Sequence, residues 1–197
     1  MKKTLITGAT GMVGGLILKQ CLNSPEVSQL TSFVRKKSKQ NHPKLKEVVV
    51  EDFLDYSKHQ EEFVDVDVAY FCLGVYTGAV SDDLFKTITV DYTISFSEAL
   101  KSNSPKAKFC FLSGAGADPK EKSKVSFAKY KGMAENHLIQ QGFDQLNIFR
   151  PAYIYPVEKR EEPNFSYRIF RRLYPILKNV YSSGVITSEE LSQAIFY

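Results

Sequence analysis

Residues 126 to 133 read SFAKYKGM, which sets Tyr130 and Lys131 side by side at the head of a helix-like stretch. A phenol can act as a general acid or base, and a nearby ammonium group can lower its pKa. Neighbours on a helix point about 100° apart, however, whereas residues four apart share one face. The position that shares a face with Lys131 is 127, and it holds Phe. Three readings follow: an enzyme with a displaced acid, an enzyme that needs none there, or a binding protein without one. Tyr130 is the nearest replacement donor, and Tyr153 and Tyr155 stand on the segment after the last sheet strand.

A second group of residues points to an anion. TLITGATGMVGGLIL places Gly8, Gly11 and Gly14 directly after a strand-like run and at the mouth of a helix. Glycines there let the backbone turn tightly and approach a pyrophosphate, which meets amide N–H groups and the positive end of the helix dipole. About 20 residues beyond such a loop stands the group that meets the adenosine ribose, an acid for NAD or an arginine for NADP. Arg35 occupies that place, Lys36 and Lys37 follow, and no Asp or Glu is near in sequence, so NADP is expected over NAD. Asp52 suits the adenine amino group or a cap on the following turn, and Gly74 in CLG suits close passage of backbone past adenosine.

These residues need a scaffold that gathers them. Strand-like runs at 3–7, 30–34, 47–50, 67–73, 107–113 and 145–150 alternate with helical stretches at 12–22, 82–102 and 123–141. Such alternation predicts an α/β protein with a parallel sheet, and the apolar runs VAYFCL and FCFL suit strands covered on both faces. Beyond residue 150, Pro151, Pro156, Pro163 and Pro175 break the pattern, leaving a short helical stretch at 166–174. Residues 151–197 are therefore expected to form a small substrate lobe or lid on one domain spanning 1–197. TSEELSQAIFY carries a capping-box pattern from Thr187 to Glu190 and predicts a helix that ends early.

The whole chain has 197 residues, 43% of them hydrophobic, and a net charge of +4. That suits one core-forming domain. The cations fall in separate clusters, which argues against nucleic-acid binding. No apolar run nears the roughly 18 residues of a membrane span and no signal peptide opens the chain, so a cytoplasmic location is expected. Cys21, Cys72 and Cys110 lie in apolar segments and read as reduced core thiols; His42, His59 and His137 lack metal-ligand spacing. A small-molecule substrate and at most a second copy of the chain are the partners expected.

TGATGMVGG resembles the TGxxGxxG loop of the short-chain dehydrogenase/reductases, FLSGAGAD their active-site serine strand, KYKGMAE their catalytic helix, and FRPAYIYP their RPxxIYG run. The likeness spans Lys3 to about Pro156. It points to the extended and atypical members, nearest the Tat-interacting-protein-like oxidoreductases through GAD after Ser113, KG at 131 and the short tail. The resemblance implies a Rossmann-like doubly wound sheet in the order 3-2-1-4-5-6 with NAD(P) across its carboxyl edge. Its nucleotide site would draw on Gly8, Thr10, Gly11, Met12, Val13 and Gly14, then on Arg35, Lys36, Asp52 and Phe53, and finally on Leu73, Gly74, Lys131, Pro151 and Tyr153. Lys131 matches the lysine that bonds the nicotinamide ribose, and Ser113 the serine that holds the substrate oxygen. Phe127 stands at the catalytic tyrosine position and Gly114 where a second serine is common. The implied function is an NADP-dependent oxidoreductase or epimerase with a degenerate site, acting on a small carbonyl or nucleotide-linked substrate with Lys131, Ser113 and Tyr130 as catalytic candidates. The alternative is a non-catalytic NADP-binding regulatory protein.

Overall fold

The computed structural model describes residues 1–158, Tyr174 and 184–197. Six strands, β1 (Lys2–Thr7), β2 (Val27–Val34), β3 (Leu45–Val49), β4 (Val68–Phe71), β5 (Lys108–Leu112) and β6 (Leu146–Phe149), form one sheet in the order β3-β2-β1-β4-β5-β6. Every pairing is parallel. Thr7 lies opposite Phe33 and Phe71, and Phe71 opposite Phe111, so the carboxyl ends of the central strands share one edge. The alternating pattern predicts the parallel α/β sheet, and this strand order is the Rossmann-like one that the family resemblance implies.

The sheet separates two cores because strand side chains alternate in direction. On one face Leu5, Ala69, Phe71, Phe109 and Phe111 meet Phe33, Phe63 and Phe96. Rings there stack or meet edge-on, as with Phe33 and Phe63 at 5.2 Å and Phe71 and Phe96 at 5.4 Å between centroids. The other face sets Ile6, Val68, Tyr70 and Cys110 against Ile17, Leu18 and Cys21 of helix α1 (Met12–Asn23). All three cysteines are free thiols. Burial pushes the Cys21 and Cys72 thiols up to about 12 and Cys110 to about 11, so none is a ready nucleophile.

Between β4 and β5 the expected single helix is interrupted. Helix α2 (Asp82–Lys86) is capped by Ser81, whose Oγ accepts from the Leu84 amide; a π-turn at Thr87–Asp91 then leads into α3 (Tyr92–Asn103). Such wide turns often mark functional positions, and no local periodicity reveals them in advance. Helix α4 (Ser126–Gln140) follows a loop organised by Asp118. The Asp118 carboxylate accepts from the amides of Lys120, Lys122 and Ser123, bonds that hold it below its usual pKa.

The last described residues pack on the α1 side of the sheet. Strands β7 (Tyr153–Tyr155) and β8 (Val185–Thr187), both missed in the sequence pattern because each is only three residues long, pair in parallel. Helix α5 (Ser188–Phe196) begins with the capping box expected: Thr187 Oγ1 accepts from the Glu190 amide at 3.1 Å, and the Glu190 side chain accepts from the Thr187 amide at 2.9 Å. Its Leu191 and Ile195 join the core of α1, and Gln20 Nε2 donates to Ser192 Oγ at 2.9 Å. The expected helical stretch at 166–174 lies outside the described residues except for Tyr174.

Leu191 is 4% exposed. Leu191→Ala should cost about 2–5 kcal/mol in urea unfolding, and a loss near zero would show that α5 is not part of the cooperative core.

Candidate active site

A cleft of about 500 Å³ opens at the carboxyl ends of β1, β4 and β5, with Gly11, Gly14, Leu73, Ser113, Phe127 and Lys131 among its walls. The three loop glycines serve different ends. Gly8 has φ +80°, and a Cβ there would lie 2.5 Å from the Cys72 carbonyl carbon. A Cβ on Gly14 would run into the Gly8 carbonyl. Both are therefore required by the packing of the loop itself. A Cβ on Gly11 meets only the Gly8 carbonyl oxygen, at 3.1 Å, and Gly11 faces the cleft at the N-cap of α1. That cap has no side-chain hydrogen bond, and the first turn carries no acid. The positive end of α1 is thus left to whatever enters the cleft, and the cradle fits a pyrophosphate.

Met12, Val13, Gly74 and Pro151 also line this cleft. Thr10 is exposed and borders an adjoining cavity with Gly11 and Met12. Tyr153 is half-buried in β7, while its neighbours Ala152 and Ile154 reach the cleft wall. The Phe53 side chain is a core group, 5.5 Å from Tyr92 between ring centroids, so a nucleotide could meet only its backbone. Asp52 caps its turn, accepting from the Leu54 amide at 2.9 Å. Arg35 and Lys36 are exposed just past β2. One detail corrects the sequence reading: Glu47, twelve positions from Arg35 in the chain, accepts from the Ser38 amide at 2.9 Å and so brings an acid to the basic loop.

At the other end of the cleft, α4 presents Phe127 and Lys131 on one face. Its close approach has a definite cause: a Cβ on Gly132 would overlap the Asp118 carbonyl, and the Asp118 amide donates to the Ala128 carbonyl at 2.8 Å. The GAD and KG pairs thus form one contact between loop and helix. Lys131 is 9% exposed; its Nζ donates to the Leu112 carbonyl at 3.0 Å and stands 4.9 Å above the centre of the Phe111 ring. Burial lowers its pKa to about 8, against the opposing pull of Glu135 and Cys72.

The hydroxyls near this end have other partners. Tyr130 does not line the cleft: its ring packs on Phe85 and its hydroxyl donates to Asp82 Oδ2 at 2.5 Å, a bond that also raises the phenol pKa. The 100° helical step turns Tyr130 from Lys131, and its hydroxyl is engaged by Asp82. Ser113 lines the cleft, but its Oγ donates to Glu135 Oε1 at 2.5 Å. Glu135, 1% exposed, also receives Arg150 through Nε at 3.0 Å to each oxygen and Nη2 at 2.6 Å. A Cβ on Gly114 would run into the Phe127 ring. Glu135 and Arg150 were not singled out in the sequence, although the four-residue spacing from Lys131 to Glu135 was a readable signal. Tyr76 and Thr89 also reach the cleft wall, from a loop and from the π-turn, where no periodicity marks them.

A family of proteins described as NAD(P)H-binding matches residues 8–171. The chain belongs to that NAD(P)H-binding family. Among its relatives, rat HTATIP2 is 28% identical over 186 residues, covering 93% of this chain and 74% of that one. FMP52 of Candida albicans, labelled mitochondrial, is 30% identical over 188 residues, covering 93% and 80%. The Bordetella bronchiseptica enzyme WbmH, solved with NAD+, superposes with a TM-score of 0.73 at 18% identity, covering 98% of this chain and 71% of that one. These matches agree with the resemblance to short-chain dehydrogenase/reductases and to the Tat-interacting-protein-like group.

In this NAD(P)H-binding protein, the charged form of Lys131 is the stronger hydrogen-bond donor. Its ammonium persists below about pH 8 and gives way to the amine above it. Affinity for NADPH, followed by calorimetry, should therefore fall as pH rises through about 8. Glu135→Gln removes an anion that favours the ammonium, so the fall should move to lower pH; movement upward would contradict the assigned electrostatics.

Proposed function

We propose that the chain is an NADP-dependent oxidoreductase or epimerase of the short-chain dehydrogenase/reductase type, acting on a small carbonyl or nucleotide-linked substrate. The observation that carries this reading is Lys131, buried in the cleft wall beside the glycine cradle. The bound coenzyme would supply hydride chemistry. The cradle and the α1 terminus would hold its pyrophosphate, Arg35 and Lys36 its 2′-phosphate, and Lys131 its nicotinamide ribose. Three cations in sequence at Arg35–Lys37, against Glu47, which already accepts from the Ser38 amide, support NADP over NAD. No described helix is long and apolar enough to cross a membrane.

A second reading, a regulatory protein that binds NADP without turnover, is favoured by Phe127 at the acid position and by the diversion of Ser113 to Glu135. A positioned proton donor is typically worth about 10²- to 10⁴-fold. Reduction of ordinary carbonyls by the parent should therefore be slow, and Phe127→Tyr should raise it. If both proteins bind NADPH and neither consumes it with any carbonyl offered, the regulatory reading stands instead.

On the coenzyme itself, NADPH should raise the melting temperature more than NADH at equal concentration. Arg35→Asp should reverse that ranking; an unchanged order would remove Arg35 from the ribose site.

A further inference from the structure

Lys131 and Glu135 lie one turn apart on α4, the spacing at which opposite charges meet, and both are buried. They nevertheless do not pair. Among the described residues no ion pair joins them: the Lys131 ammonium donates to the Leu112 carbonyl, and the Glu135 carboxylate takes Arg150 and the Ser113 hydroxyl. A buried charge is costly without a partner, so a carboxylate and an ammonium this close would turn to each other unless one were held elsewhere.

Arg150 is the group that holds it. Its Nε lies 3.0 Å from each Glu135 oxygen and its Nη2 2.6 Å from Oε2, a forked contact that fixes the carboxylate plane. The Ser113 hydroxyl secures the other oxygen at 2.5 Å. The backbone on either side of Arg150 is pinned to the end of β5, since the Ser113 amide donates to the Phe149 carbonyl and the Ala115 amide to the Pro151 carbonyl, each at 2.8 Å. The fork therefore has a rigid base where the chain leaves β6.

We propose that Arg150 is a positioning residue for the coenzyme site: it keeps the Glu135 carboxylate off Lys131 and so leaves the ammonium open to the nicotinamide ribose. The proposal rests on the placement of Lys131 in the reading above. An ammonium carries three donors, and the Leu112 carbonyl engages one of them. The ionisable groups that face Lys131 are Glu135 from α4 and Cys72 just past β4, with Arg150 from the end of β6 behind Glu135. Burial keeps the Cys72 thiol neutral, which makes Glu135 the anion whose orientation matters.

The test is NADPH affinity by calorimetry, well below pH 8, where the Lys131 ammonium persists. Adenosine 2′,5′-bisphosphate, which lacks the nicotinamide half, is the control ligand. Arg150→Met should weaken NADPH about tenfold, the worth of one hydrogen bond to a charged group, and leave the bisphosphate unchanged. Arg150→Lys, which cannot fork, should lose less. Adding Glu135→Gln to Arg150→Met removes the competing anion and should restore affinity toward the parent value. The fall in NADPH affinity with pH should move upward in Arg150→Met, because a paired ammonium keeps its proton longer, and that upward shift should vanish in the double variant. Should Arg150→Met not fold, the smaller loss in Arg150→Lys and its rescue by Glu135→Gln decide the same point. Unchanged NADPH affinity in Arg150→Met, no rescue in the double variant, or an equal loss of bisphosphate binding overturns the positioning role while leaving the oxidoreductase reading intact. Unchanged NADPH affinity in Lys131→Met removes Lys131 from the ribose and overturns both.

Discussion

An ammonium group buried under the carboxyl edge of the sheet organises the substrate end of this protein. Lys131 loses most of its water, and a buried charge is tolerated only when it is paired and hydrogen-bonded. The compensation comes from three directions: the Leu112 carbonyl, the face of Phe111, and Glu135 one turn along α4. Glu135 is itself buried and needs partners, which Arg150 and Ser113 supply. The family serine is thus drawn into a structural network that begins with the lysine.

The same helix explains why two departures from the family pattern occur together. Gly132 lets α4 settle against the Asp118 loop, and that depth of docking carries Phe127 onto Gly114. A serine at 114 would collide with the ring in this arrangement. Phe127 and Gly114 are therefore matched to each other, replacing two hydroxyls by a close apolar contact. The nucleotide end shows no comparable change, since the Gly8 and Gly14 packing and the open N-terminus of α1 are intact. Binding and proton transfer are separable demands here, met by different elements, so one can be kept while the other is altered.

Much of this was legible in the sequence because it is local. The six strand-like runs and helices α1 and α4 lie where the pattern puts them, the Thr187–Glu190 capping box forms as its spacing requires, and the turn of Tyr130 away from Lys131 follows from the helical step alone. The glycine loop is readable for the same reason: strand, turn and helix are contiguous, so their geometry follows from neighbouring residues. The π-turn at 87–91 and the short strands β7 and β8 escaped because too few residues carry each signal.

The amino-acid order by itself determined the α/β alternation, the anion cradle and the loss of a hydroxyl at position 127, each a property of a short segment. Only the tertiary structure decided that Ser113 bonds Glu135, that Tyr130 bonds Asp82, that Glu47 reaches the basic loop, and that α5 completes the core of α1. Those pairings join residues far apart in the chain, and their distances are set by strand register and by how deeply each helix docks. Periodicity along one segment carries no information about either.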